Sequence, residues 1–100
     1  MSELIIFTLN VPTSLKDEVV DNLISLPNIT GFNLTNMSGY SKEHSLYDIS
    51  EQVEGYRAFC QFEILIASNE VSILKDSLNP ICQPAKLRYW LTPVIESGHF

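Results

Sequence analysis

The chain has 100 residues, 45% of them hydrophobic and 18% charged, and its 12 acidic and 6 basic side chains leave a formal net charge of −6. This length and composition fit one globular domain that buries roughly 60 to 70% of its unfolded surface, and they exclude a disordered or fibrous protein. The negative charge repels polyanions, so we expect neither nucleic acid nor an anionic membrane surface as a partner.

The N-terminal segment lacks the features of an export signal. Glu3 stands where a secretory signal carries positive charge, and no long apolar stretch with a small-residue cleavage site follows. No apolar run is long enough to span a bilayer. We therefore expect a cytoplasmic protein without membrane insertion. In a reducing compartment Cys60 and Cys82, which lack C-x-x-C spacing, are predicted to be two buried thiols rather than a disulfide or a zinc site.

The first part of the chain predicts a strand, a helix and a second strand. Leu4 to Leu9 is almost continuously apolar, which is typical of a central strand buried on both faces. Residues 15–25 carry one apolar helical stripe, and Thr13 or Ser14 is expected to cap that helix. Residues 32–38 alternate between apolar and polar and predict a half-buried strand.

The second part repeats the pattern in the order strand, helix, strand. Residues 56–66 alternate over a long stretch and predict the third strand. Ser68 or Asn69 is expected to cap a second helix that ends at Asn79-Pro80. Residues 86–92 alternate as a fourth strand, and a tail from Val94 to Phe100 follows.

The order β-α-β-β-α-β predicts an α+β domain, residues 1–100, in which both helices lie on one face of a four-stranded sheet. Whichever side faces the helices, the strands leave apolar side chains on the other side. The two alternatives are Leu4 and Ile6, or Phe59 and Leu65, joined by Tyr89 or Trp90. Because exposed apolar patches usually mark interfaces, we predict that other copies of the chain cover this open face.

The segment from Gly39 to Gly55 is longer than a hairpin turn requires, which is about two to five residues. Long loops in compact domains are often functional. In that interpretation Tyr40, Lys42, His44 and Tyr47 contact a ligand or partner; in the alternative the segment is an inert excursion.

Histidines and arginines supply the remaining site candidates. His44 and His99 are candidate metal ligands, although no ligand-like local spacing surrounds either of them. Arg57 and Arg88, with Lys86, are candidates to hold an anion in a cleft between subunits, or are charges that keep the strands soluble.

No catalytic motif is present. The chain lacks G-x-S-x-G, H-E-x-x-H, a P-loop and G-x-G-x-x-G, so we expect a protein that is not an enzyme. Which cofactor it binds, if any, is unknown from the sequence.

Three segments together resemble a known family. They are Leu46-Tyr47-Asp48-Ile49-Ser50-Glu51-Gln52-Val53-Glu54-Gly55, Tyr89-Trp90-Leu91-Thr92-Pro93-Val94 and Gly98-His99. They resemble a small bacterial PII-like family known as domain of unknown function 3240 (DUF3240). The resemblance implies a ferredoxin-like βαββαβ fold with an antiparallel sheet, related to nitrogen regulatory PII proteins and to CutA proteins.

Further expectations follow from the resemblance alone. It implies a homotrimer whose sheets face inward, with the 39–55 loop placed where PII proteins contact their targets. PII proteins bind nucleotide phosphates through a glycine-rich, basic segment before the last strand; here Asn79 to Ala85 has neither glycine nor a basic residue, so ATP binding is not implied. Proximity of family genes to heavy-metal efflux systems implies a metal-linked role.

Two functions are therefore carried forward. The first is a regulatory protein that senses a small ligand and acts through the 39–55 loop on a protein target. The alternative is a metal-binding protein linked to heavy-metal efflux or tolerance, with ligands from His99 and from His44 or a cysteine.

Overall fold

The computed structural model describes residues 3–40 and 57–100. Four strands and two helices alternate as β-α-β-β-α-β within these ranges. They are β1 (Leu4–Pro12), α1 (Lys16–Ser25), β2 (Asn33–Gly39), β3 (Arg57–Ala67), α2 (Val71–Ala85) and β4 (Tyr89–Pro93).

The strands form one antiparallel sheet in the order β2-β3-β1-β4. β1 and β3 are central, and β1 pairs with β3 along its whole length, from Leu4 opposite Ala67 to Pro12 opposite Phe59. β2 and β4 are the edges. This is the ferredoxin-like α+β architecture, and it confirms the predicted fold class.

The core lies between the helices and one face of the sheet. Alternate residues of β1 and β3 point into it, and they meet across the sheet in register, as Phe7 does with Ile64 and Leu9 with Phe62. Val19 and Leu23 of α1 and Leu74 and Leu78 of α2 complete it. The alternation predicted along β3 is observed: Cys60, Phe62, Ile64 and Ile66 are all buried on the helix side, whereas Ala58, near the start of the strand, is exposed.

Both helices begin in a different way from the one predicted. Each is entered through a short 3-10 turn, Thr13–Leu15 before α1 and Ser68–Glu70 before α2, and no side chain caps either turn or either helix. The expected caps at Thr13, Ser14, Ser68 and Asn69 are therefore wrong. The backbone bonds of the 3-10 turns take the place of a side-chain cap.

The predicted end of the second helix at Asn79-Pro80 is also wrong, because α2 continues through Pro80 and Pro84 to Ala85. A proline inside a helix removes one backbone hydrogen bond and crowds the carbonyl four residues earlier. Here the apolar stripe continues past Pro80, since Ile81 and Cys82 pack against the core. Tertiary packing thus outweighs the local preference.

No helix within the described ranges is both long enough and apolar enough to cross a lipid bilayer.

Candidate functional site

The long segment leaves and re-enters the sheet at one place. β2 ends at Gly39 and β3 begins at Arg57, and these two residues are paired across the strands. Tyr40, the first residue beyond β2, is 75% exposed. Lys42, His44 and Tyr47 lie outside the described residues, so the structure does not test them as contact residues.

A tight contact lies beside this exit point. A Cβ atom added at Gly39 would overlap the ring of Phe59, two residues into β3 from Arg57. Met37 is paired directly with Phe59 on the same face of the sheet. Position 39 requires glycine because the Phe59 ring approaches the backbone and leaves no space for a Cβ atom. The requirement does not come from a backbone conformation that only glycine adopts.

The face of the sheet away from the helices is open, as predicted, and its ends are apolar. Leu4, Leu65 and Trp90 retain 38%, 44% and 39% of their surface exposed, while Ile6 and Phe59 are half-buried. Of the two alternatives for strand four, Trp90 is on this face and Tyr89 is on the helix side, because Trp90 pairs with Thr8 and Tyr89 with the buried Leu9.

A polar band crosses the middle of the open face. The Gln61 side chain donates a hydrogen bond from Nε2 to Oδ1 of Asn10, 3.1 Å away, and Thr35 pairs with Gln61 in register. Sequence reasoning did not single out this pair. Strand alternation would have placed both residues on the open face, but their proximity depends on the β1–β3 register.

The two arginines proposed to hold an anion are not neighbours within one chain. Arg88 lies over the ring of Trp90, 5.7 Å from its centroid, and its carbonyl accepts a hydrogen bond from the N–H of Asn10. Asn10 pairs with Gln61, and Gln61 is four residues along β3 from Arg57. At the rise of a strand, Gln61 and Arg57 are therefore about 13 Å apart. A cleft that joins them would need two copies, and it stays a prediction.

The tail after β4 carries the other candidate ligand. His99 is exposed, and the side chains of Ile95 and Phe100 are fully exposed as well. Within residues 3–40 and 57–100, no group of three or more His, Cys, Asp or Glu side chains is placed to hold a metal ion. His44, the second candidate ligand, lies outside the described ranges.

The two thiols differ from each other. Cys60 is buried and donates to Oδ1 of Asn36 at 3.3 Å, as a buried thiol is expected to do. Cys82 is only half-buried, which corrects the prediction that both are buried. Burial raises the pKa of the Cys82 thiol, so the thiol is protonated at neutral pH.

Comparisons with known proteins agree with this geometry. The model of the family described as protein of unknown function (DUF3240) matches residues 1–100. A crystal structure of a DUF3240 family protein from Shewanella baltica OS155 is 33% identical, with a TM-score of 0.81 over 100% of this chain and 99% of that one. No curated protein matches the chain.

More distant structures share the fold. CPII from Thiomonas intermedia K12, a nitrogen regulatory PII-like protein bound to ADP, AMP and bicarbonate, is 12% identical, with a TM-score of 0.72 over 97% of this chain and 96% of that one. CutA1 from Pyrococcus horikoshii is 13% identical, with a TM-score of 0.73 over 94% of this chain and 86% of that one. At these identities the likeness shows the fold alone.

Proposed function

This chain belongs to the DUF3240 family, and from that premise we propose that it is a non-enzymatic, cytoplasmic, PII-like regulatory protein. In this proposal it assembles as a homotrimer, senses a small ligand, and contacts a protein target through the 39–55 loop.

The observation that carries the proposal is the origin of the loop. Gly39 and Arg57, its two flanking residues, are paired at one end of the sheet, on a scaffold that has the fold of a PII-like protein. Rigid paired strands that present a long segment from one end are suited to contacting another protein, because they hold the ends of that segment in place.

The open face supports the assembly. Apolar side chains lie at both ends of this sheet face and are separated by a polar band in which Gln61 and Asn10 already pair with each other, and interfaces between proteins combine apolar and polar groups in this way.

Nucleotide is left out of the proposal. CPII was solved with ADP and AMP. In this chain Asn79 to Ala85, the segment before the last strand, is helical and has neither glycine nor a basic residue. A glycine-rich loop that wraps phosphates has no counterpart there.

Exchange of the loop tests its role. We expect a variant in which residues 41–54 are replaced by a short Gly-Ser linker, with Gly39 and Arg57 kept, to lose the protein partners that the native chain captures. A second variant with alanine at Lys42, His44 and Tyr47 should lose the same partners, and Lys16→Ala on α1 is the control that should keep them. The role is wrong if the linker variant captures the native set unchanged in affinity pull-downs quantified by mass spectrometry.

The alternative function is metal binding, and the exposed tail favours it. His99 lies beyond β4, and the described part of the chain has no group of three or more His, Cys, Asp or Glu side chains placed to hold a metal ion, so in this alternative neighbouring copies supply ligands. Calorimetric titration of the assembled protein with copper, zinc, cobalt and nickel separates the two functions. Binding that is lost in His99→Ala supports the alternative, and no binding to the native protein rejects it.

A further inference from the structure

A groove of about 410 Å³ lies between α2 and the β4 edge of the sheet, on the helix side. One wall is α2 with its C-terminal turn, and the other side is formed by Phe7, Leu9 and Tyr89. The groove exists because the helices leave β4 uncovered, and all five residues of that strand are exposed. Its volume is at the lower end of the range for small-molecule sites, about 300 to 1,000 Å³.

The floor of the groove is apolar and aromatic. Phe7, Leu9 and Leu78 are buried beneath it. Tyr89 stacks on Phe7, with ring centroids 5.3 Å apart and planes 7° from parallel, and 42% of its surface stays exposed. A flat or branched apolar group placed here would bury its own surface and that of Tyr89, which the hydrophobic effect favours.

The rim of the groove is positively charged in a chain whose net charge is −6. Lys75 and Lys86 line it against one carboxylate, Asp76. The ammonium of Lys75 lies over the Tyr89 ring, 4.8 Å from its centroid. The excess of one positive charge fits a monoanion, whereas it would leave a polyphosphate largely unneutralised.

Lys86 occupies its place on the rim at a conformational cost. It has φ 53° and ψ 48°, and it is the one non-glycine residue with positive φ among those described. The backbone forms a Schellman motif, in which the N–H groups of Lys86 and Leu87 donate to the carbonyls of Gln83 and Cys82 at 3.2 and 3.1 Å. Glycine is the residue this position favours.

A costly conformation beside a cleft is a physical ground for a functional hypothesis. Lysine at position 86 lowers stability relative to glycine, and it also adds a cation to the rim of the groove.

We propose that this groove binds a small organic monocarboxylate. Its aromatic or branched aliphatic group packs against the exposed part of Tyr89, above the buried Phe7 and Leu9, and its carboxylate meets Lys75 and Lys86. The groove is built within a single chain, so binding does not require assembly. This inference rests on the proposed function, because a ligand-sensing protein needs a ligand site, and it deepens that function by naming the class of ligand.

Titration followed by ¹H-¹⁵N NMR tests the proposal. The probes are 3-phenylpropionate, indole-3-acetate and 4-methylpentanoate, each compared with its neutral amide. We expect at least one carboxylate to bind saturably, about tenfold tighter than its amide, because a charge-assisted hydrogen bond contributes that much. The largest shifts should fall on the backbone amides around Tyr89 and along α2.

Three variants test the residues. Lys75→Gln should weaken carboxylate binding about tenfold. Lys86→Gly should weaken it similarly while raising the Tm by about 4 °C, because glycine relieves the left-handed conformation. Lys86→Arg should restore binding without the gain in Tm, and Lys16→Gln, the matched loss of one charge on α1, should change neither.

Several outcomes would overturn the proposal. They are no saturable binding by any probe up to about 10 mM, equal binding of acids and amides, native affinity in both Lys75→Gln and Lys86→Gly, and shifts confined to the open face. None of these affects the loop. Conversely, a failure of the loop-exchange experiment leaves carboxylate binding standing.

Discussion

At the scale of single residues, Gly39 is the residue type that its position requires, whereas Lys86 is not the type that its backbone conformation favours. Gly39 has no room for a side chain because the Phe59 ring occupies the position of its Cβ atom. Lys86 has a side chain where the backbone favours none. The first residue is required by packing, and the second reduces stability, which is why we assign the second to ligand binding.

Gly39→Ala should therefore be destabilising, by about 1 to 3 kcal/mol, because the new methyl group displaces the half-buried Phe59 ring. Gly31→Ala is the matched control. It has no atom within 4 Å of the new Cβ, so it should be neutral or slightly stabilising. Urea unfolding at equal chain concentration measures both. Equal free energies of unfolding for the two variants would contradict the packing assignment.

At the scale of elements, one reciprocal contact joins the two helices. The side chain of Asn22 on α1 donates from Nδ2 to the carbonyl of Ser77 on α2 at 3.1 Å, and the Ser77 hydroxyl donates to Oδ1 of Asn22 at 2.8 Å. Both groups are partly buried. The pair satisfies polar atoms at the helix contact and fixes the relative position of the helices.

Asn22→Ala should lower the free energy of unfolding by about 1 to 3 kcal/mol, because it leaves the Ser77 hydroxyl and carbonyl without their partner. Asp21→Ala, at the exposed neighbouring position, should change stability by less than about 0.5 kcal/mol. The double variant with Ser77→Ala should cost less than the sum of the two single changes. Strict additivity would show that the two side chains do not interact.

At the scale of the whole molecule, the sheet has one covered face and one open face. Leu65 lies on the open face and pairs with Ile6, and 44% of its surface is exposed in the single chain. A polar residue there would stay hydrated in a monomer, but an interface between copies would bury it without a partner. This position therefore separates folding from assembly.

We expect the native protein to have a mass about three times that of the 11.3 kDa chain in size-exclusion chromatography with light scattering. Leu65→Glu should shift it to the mass of a single chain, with the circular dichroism of the fold retained. Ile24→Glu, on the outer face of α1 where Ile24 is 70% exposed, is the control that should remain assembled. A native protein that elutes as a monomer would contradict the proposed trimer.

Sequence reasoning was accurate where a periodic pattern coincided with burial. The alternation along β3 correctly placed Phe62 and Ile64 on the same face of the strand, and the structure shows that this face packs on the core. It was wrong at Pro80, because the preference of a single residue was outweighed by the packing of Ile81 and Cys82. It started the fourth strand at residue 86, whereas Lys86 terminates α2 and β4 begins at Tyr89.

By itself, the sequence determined the fold class and the order of elements, because hydrophobic periodicity is a local property that each segment carries. Only the tertiary structure decided which side chains meet: Gln61 with Asn10, Asn22 with Ser77, and Lys75 with Tyr89. Those contacts depend on strand register and helix packing, which join residues far apart in the chain. The groove and the polar band follow from them, and no local pattern contains either.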